Sequence, residues 1–351
     1  SVLPNRTLLW HYRSKHENLI AFSNREIYKN NLITFPNSIN NAPDMGVEYI
    51  YVEDGVYDRG GKKNNIREAE ECVRLVFEHI DKHPNRSLGI IAFSESQQSA
   101  IENAIIDYRE RNPFYEWFFD ETRDEPFFVK NLENVQGDER DTIIFSICYG
   151  KDKNGAMYMN FGPVGHNGGE RRLNVAITRA KCNIKLVGSI LPSDIDVNRA
   201  KSEGARMLRS YIEYARKGSS ALRPIERAEA FETEDDFCEV IAKFLEEHGY
   251  LIERQVGCSD YKIDIAVKNP KAEGEFIAGI ECDGLSYIHA KTARDRDHLR
   301  RSVLQNMGWN LYRVWSTEWS RNPKAEGQAL LDFLHSVYDK NGNVIHSMKQ
   351  S

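Results

Sequence analysis

The stretch Glu170 to Lys181, ERRLNVAITRAK, sets charged residues beside apolar ones at helical spacing. Leu173, Ala176, Ile177 and Ala180 recur at i, i+3, i+4 and i+7, which predicts a helix over Arg171–Ala180 with one buried face. Arg172 and Arg179 are seven positions apart, about two turns, so both guanidiniums would project from a shared face toward one anion. Phosphate is the anion that such a pair handles best. A basic, solvated side of an amphipathic helix is the plainer use of the same residues, so the rest of the chain has to decide between them.

The elements that would position this helix read as alternating strands and helices. Apolar runs at Glu48–Val52, Leu88–Phe93, Phe127–Val129, Thr142–Tyr149 and Asn183–Gly188 predict strands, and Ile66–Ile80 and Glu95–Arg111 predict helices. Such alternation implies an α/β fold, a parallel sheet with flanking helices. The glycine-rich segment Lys151–Gly169 breaks the rhythm and is expected to be a long functional loop. Gly218-Ser219-Ser220 followed by Pro224 reads as a linker, placed at residues 217–230 between a first domain, 1–216, and a second, 231–351. In the second the order becomes helix, three strands, helix and strand, which predicts a smaller α/β domain with a mixed sheet.

Composition bounds the reading. The chain has 351 residues, a formal net charge of -6 and six cysteines without C-x-x-C spacing, which fits a reducing, cytoplasmic setting. No apolar run approaches the roughly 18 residues of a membrane span. An acidic balance means that any nucleic-acid surface is a local patch. The first residue is not Met and the opening already reads as a motif interior, so a piece of a longer polypeptide is expected.

Four ordered segments resemble the second RecA-like lobe of superfamily 1 helicases of the Upf1-like type, over about residues 8–216. They are Trp10-His11-Tyr12-Arg13 with Ile20-Ala21-Phe22-Ser23-Asn24, Leu88-Gly89-Ile90-Ile91 with Gln97, Val135-Gln136-Gly137-Asp138-Glu139-Arg140-Asp141, and the Arg171–Lys181 segment itself, similar to motifs IIIa, IV, V and VI. The resemblance implies that Arg13 and Arg179 stabilise charge on the γ-phosphate of ATP, that Glu139 touches the ribose beside Gly137, and that Gln97 belongs to the nucleotide site. Ser94 stands where many relatives carry an aromatic or basic residue near the base, which puts base stacking there in doubt. The sequence holds no G-x-x-x-x-G-K-[ST], so the phosphate cradle is expected from an N-terminal RecA-like lobe of the same polypeptide. Single-stranded nucleic acid is expected along Lys151, Lys153 and His166, with Asn24 and Thr178 as further contacts.

A second ordered set covers about residues 231–325: Tyr261–Val267, Ile280-Glu281-Cys282-Asp283-Gly284, His289, Thr292–Asp297, Gly308-Trp309 and Arg313–Trp319. It resembles the restriction-endonuclease-like domain related to very-short-patch repair endonucleases, which implies metal-dependent cleavage of DNA. Asp264 on one strand, with Glu281 and Asp283 two apart on the next, would hold Mg2+ or Mn2+, since i and i+2 share a sheet face. The ion would polarise the phosphoryl oxygen and activate water. Asp283 stands where this fold usually has lysine, so the positive charge would come from Lys262, His289, Lys291 or Arg294, the last also a DNA-phosphate contact. The acid of the first helix falls at either Cys238 or Glu239. Trp309, Trp315 and Trp319 are expected in packing. Together these readings imply a bacterial helicase coupling ATP-driven movement on single-stranded and also double-stranded DNA to its cleavage. The alternatives are a DNA-binding module with an inactive nuclease fold, or an RNA helicase of the Upf1 kind.

Overall fold

The structure, a computed structural model, describes residues 14–29, 32, 34–38, 43–222, 235–257, 262–283 and 301–337. It divides into two compact units, one from Asn18–Lys29 and Asp44–Arg223, the other from Ser1–Glu17, Asn30–Pro43 and Pro224–Ser351.

The first unit runs α1 (Asn18–Glu26), β1 (Gly46–Tyr51), α2 (Ile66–Lys82), β2 (Leu88–Ala92), α3 (Glu95–Arg111), β3 (Phe128–Asn131), β4 (Arg140–Ser146), α4 (Gly169–Ile177), β5 (Ala180–Gly188) and α5 (Glu203–Lys217). Its five strands are all parallel, in the order β1-β5-β4-β2-β3. Side chains alternate along each strand. Ile90, Ile144 and Val187 face α2 and α3 in one core, while Ile91, Ile143, Phe145 and Leu186 face α4 and α5 in the other. A strand buried on both faces must be apolar throughout, and β2 accordingly reads LGIIA with every residue buried. Asn65, Ser94 and Ser202 cap α2, α3 and α5 by accepting from Glu68, Gln97 and Ala205 N–H groups.

The expected helix over Arg171–Ala180 is shorter. α4 stops at Ile177 because the Thr178 hydroxyl donates to Val175 O, and Ala180 already begins β5 against Arg140. The apolar face holds, with Leu173, Ala176, Ile177 and Ala180 all buried. Burying Leu173 and Ile177 stabilises the unit by about 1.5–3 kcal/mol each. Arg172 and Arg179 do not share a helical face, since Arg179 lies beyond the helix end. At the other end, a Cβ on Gly169 or Gly204 would stand about 2 Å from Val164 O (2.0 and 2.1 Å), so glycine lets α4 and α5 start against the same turn.

The second unit runs α6 (Asp235–Glu247), β6 (Ile252–Val256), β7 (Ile263–Lys268), β8 (Phe276–Asp283), a helical stretch at 301–306, β9 (Leu311–Trp315), α7 (Ser316–Arg321) and α8 (Pro323–Ser336). β6, β7 and β8 pair antiparallel and β9 joins β8 in parallel, giving the expected mixed sheet. Ile241 and Leu245 of α6 and Leu330 and Leu334 of α8 cover Ile265, Val267 and Ile280 on one face. On the other, Trp309, Ile263, Phe276 and Leu304 enclose Phe35, a residue from the N-terminal part of the chain. That segment is fastened by backbone: Trp309 Nε1 donates to Pro36 O at 2.7 Å, and Phe276 N to Ser38 O at 2.9 Å. The linear reading of domains did not anticipate this strap. Trp309 and Trp319 are buried in packing. Among the described residues no helix is long and apolar enough to cross a membrane.

Candidate nucleotide and metal sites

Motifs V and VI meet at the N-terminal ends of β4 and β5. Arg140 N donates to Arg179 O at 3.1 Å, which makes Glu139 and Arg179 near neighbours across the two strands. Gly137 sits just upstream at φ +95°, a conformation that L side chains rarely adopt. The Arg179 guanidinium is oriented by neutral oxygens, Nε to Val175 O at 2.8 Å and Nη2 to Thr178 Oγ1 at 3.1 Å. Glu139 stands 3.7 Å from Lys181 Nζ, and Lys181 also pairs with Glu125. Burial alone would lower the Lys181 pKa, but the hydrogen bond it donates to Glu125, together with the negative charges of Glu125, Asp141 and Glu139, outweighs burial and raises it. Arg172 turns elsewhere, toward Asn167 O at 3.2 Å and Glu133 at 3.9 Å. Arg13 lies outside the described residues.

Gln97, which the motif IV resemblance places in the nucleotide site, lies in the interior of the unit. It is fully buried; its Oε1 accepts from Asn65 N at 2.8 Å and its Nε2 donates to Asn65 O and Ser146 Oγ, both at 3.0 Å. It belongs to a network centred on Glu68, which is 0 % exposed and accepts from Cys148 N, Ser189 N, Ser189 Oγ, Ser146 Oγ and Asn65 Nδ2 at 2.7–3.2 Å. Burial raises the Glu68 carboxyl to about 7 against the pull of these donors. Cys148 takes a positive φ of 67°, rare for a residue with a Cβ, and its N–H bond to Glu68 pins that turn where β4 hands over to the glycine-rich loop.

The loop candidates gather at the C-terminal ends of β1 and β4, the end of the sheet opposite Glu139 and Arg179. The seven residues of β4 between them span roughly 20 Å. A hollow of about 340 Å³ is lined there by Tyr57, Arg59, Lys63, Tyr149, Tyr158 and His166 among others, with no carboxylate in its wall among the described residues. Arg59 stacks its guanidinium 3.3 Å from the Tyr158 ring centre. Lys153 is exposed on the adjoining groove of about 1400 Å³, whereas Lys151 pairs with Asp194 at 2.9 Å. Asn24 is buried at 3 % exposure on α1, and Thr178 is bonded at the other end of the sheet. Sequence reading missed Arg59, Tyr57 and Tyr158; their only signal was basic and aromatic residues in a loop that follows a strand.

In the second unit the expected carboxylates part company. Asp264 of β7 gathers with Cys238 of α6 and Cys282 of β8, their ligand atoms all within 4.8 Å of one another. Glu281 is outside that group. It is buried at 4 % exposure and its Oε2 accepts from Arg313 Nη2 at 2.9 Å. Adjacent strand residues point to opposite faces, so the face that takes Cys282 to Asp264 turns Glu281 away. Lys262 is exposed; the Asp283 side chain, His289, Lys291 and Arg294 lie outside the described residues. Of the first-helix pair, Cys238 faces Asp264 while Glu239 bonds Arg254. Magnesium requires a shell of oxygens, and two thiols with one carboxylate do not fit it.

A parallel sheet carrying motifs V and VI at one end in the first unit, and a mixed sheet with an acid and two thiols in the second, define a helicase-type lobe and a nuclease-like domain in one chain. Comparison with known proteins agrees: the AAA domain model AAA_12, of the Upf1-like superfamily 1 helicases, matches residues 3–191, and the chain belongs to that family. A restriction-endonuclease-like model, REase_MTES_1575, matches residues 237–334. The chain is 32% identical over 349 residues to an uncharacterised ATP-dependent helicase of Mycoplasma pneumoniae, the MG140 homologue, covering 93% of this chain and 29% of that protein. It is 31% identical over 347 residues to the uncharacterised ATP-dependent helicase MG140 of Mycoplasma genitalium, covering 90% and 28%. It thus spans under a third of the length of these relatives. The C-terminal domain of a possible DNA helicase from Lactobacillus plantarum aligns at 15% identity and a TM-score of 0.28, covering 50% of this chain and 86% of that one.

Proposed function

We propose that this chain is part of an ATP-driven DNA helicase, supplying the second RecA-like lobe and a metal-dependent nuclease domain. The observation that carries the reading is the adjacency of Glu139 and Arg179 at the N-terminal ends of β4 and β5. A guanidinium presented from one lobe stabilises the charge that develops on a transferring γ-phosphoryl group once a second lobe, holding ATP and its Mg2+, closes on it. Arg13 is the second arginine of that site, and an N-terminal RecA-like lobe of the polypeptide brings the phosphate cradle. Nucleic acid runs at the opposite end of the sheet, where Arg59, Lys63 and His166 meet phosphates and Tyr57 and Tyr158 meet bases. The restriction-endonuclease-like match over residues 237–334 favours DNA over RNA.

The test uses the complete polypeptide. ATP hydrolysis should rise on adding single-stranded DNA at fixed salt; no hydrolysis with any nucleic acid would overturn the helicase reading, and equal stimulation by RNA would move it to the Upf1-like RNA helicases. Divalent-metal-dependent cleavage of DNA, lost in Asp264→Ala, supports the nuclease. Intact DNA binding with no cleavage under any metal reduces that domain to a clamp.

A further inference from the structure

We propose that Cys238, Asp264 and Cys282 form a binding site for zinc rather than magnesium. The three residues come from three elements, α6, β7 and β8, and their ligand atoms lie within 4.8 Å of each other. Ligands around a tetrahedral zinc at bond lengths of about 2.0–2.3 Å stand roughly 3.3–3.8 Å apart, so a small rotamer adjustment closes the group onto an ion. Two thiolates and a carboxylate are a soft and borderline donor set that selects zinc over hard cations.

The surroundings prepare the carboxylate. Asp264 Oδ2 accepts from Cys282 N at 2.9 Å and Oδ1 from Gln255 Nε2 at 3.3 Å, two bonds that fix the plane of the carboxylate. Gln255 holds a positive φ of 52° within β6, where the sheet departs from regular pleating beside Asp264. Cys238 and Cys282 are both half-buried and reduced, accessible to an ion without being open to bulk solvent. Three protein ligands leave a fourth position for water or a phosphate oxygen. Binding converts the two thiols to thiolates and releases two protons, so affinity falls as pH is lowered.

The site takes its place within the nuclease domain of the preceding reading, but its test does not depend on cleavage. The full 351-residue chain, purified under reducing conditions and stripped with chelator, is loaded with zinc and with cobalt. The expected result is one equivalent of zinc retained against excess Mg2+, and a cobalt form with a thiolate charge-transfer band and strong visible bands of tetrahedral coordination. Cys238→Ser and Cys282→Ser should each lower zinc affinity at least tenfold, and the double variant should abolish the charge-transfer band. Asp264→Asn should weaken binding while keeping that band. Circular dichroism confirms that each variant folds. Retention of the band in the double variant, or Mn2+ displacing zinc stoichiometrically, overturns the proposal. So does a disulfide-linked peptide pair containing Cys238 and Cys282 in a digest of the metal-free chain, which would mark those two cysteines as partners of each other. A complete polypeptide that binds zinc here but cuts DNA under no metal sinks the nuclease reading and leaves this one standing.

Discussion

Glu68 in the parallel-sheet unit and Glu281 in the mixed-sheet unit are both withdrawn from solvent, yet they are held by opposite means. Glu68 is surrounded by N–H and hydroxyl donors, whereas Glu281 is matched by the Arg313 guanidinium. The first arrangement grows from loops converging at the ends of parallel strands, where backbone N–H groups are left over from the ladder. The second pairs two side chains across neighbouring strands, Glu281 opposite Arg313 in the β8–β9 register. Neutral donors tolerate either charge state of an acid. An ion pair requires both charges, and a buried charge that loses its partner is costly.

The arginines extend the contrast and give the largest expected effect. Arg179 donates to the neutral oxygens of Val175 and Thr178 at the end of α4, while Arg313 pairs with a buried carboxylate. In the complete polypeptide, Arg179→Ala should lower DNA-stimulated ATP hydrolysis by about 10³–10⁵-fold, the usual worth of an arginine finger. Arg172→Ala, facing Glu133 and Asn167, should stay within about tenfold in the same steady-state assay, short of that finger's worth. Equal losses would restore the single-face pairing that the helix end at Ile177 rules out.

Next come two stability effects confined to the second unit. Arg313→Ala should cost about 3–5 kcal/mol by leaving Glu281 buried without its cation, and Arg313→Ala with Glu281→Leu should recover a large part of that. Denaturant midpoints followed by tryptophan fluorescence would check it; an unchanged midpoint in the single variant would mean that Glu281 is not held as a buried charge. Phe35→Ala should cost a similar 3–5 kcal/mol through the cavity left beside Trp309. A loss that appears only in the first unit would contradict the strap.

Much of this was legible in the sequence where a motif and its period agreed. The runs in β2, β4 and β5 announced buried parallel strands, and the Leu173, Ala176, Ile177 and Ala180 spacing announced a buried face. Periodicity could not say where the helix stopped, because Thr178 ends it through a local side-chain bond that leaves the apolar pattern intact. Strand alternation could not say that Asp264 would gather with Cys282 rather than with Glu281, and the positive φ at Gln255 lies beside Asp264. Phe35 was invisible for another reason. A contact between residues 35 and 309 has no local signature at all.

The smallest effect concerns pH and tests the donor shell of Glu68 directly. Its folded carboxyl titrates near 7 because burial disfavours the anion, above the ordinary value of 4.5. The folded state therefore holds this proton more tightly than the unfolded chain does. That contribution is fully present below about pH 4.5 and is lost as pH rises through about 7. Glu68→Gln cannot titrate, but its amide nitrogen would face the Cys148 or Ser189 N–H donors, a mismatch costing about 1–3 kcal/mol. The variant should be less stable than the parent at about pH 5, and the gap should narrow toward about pH 8 by on the order of 1–3 kcal/mol as the parent ionises. Urea midpoints of both proteins across that range would show it. A gap that widens with pH would mean that the five donors outweigh burial and keep Glu68 ionised, making the parallel-sheet unit, like the mixed-sheet one, a holder of buried charge.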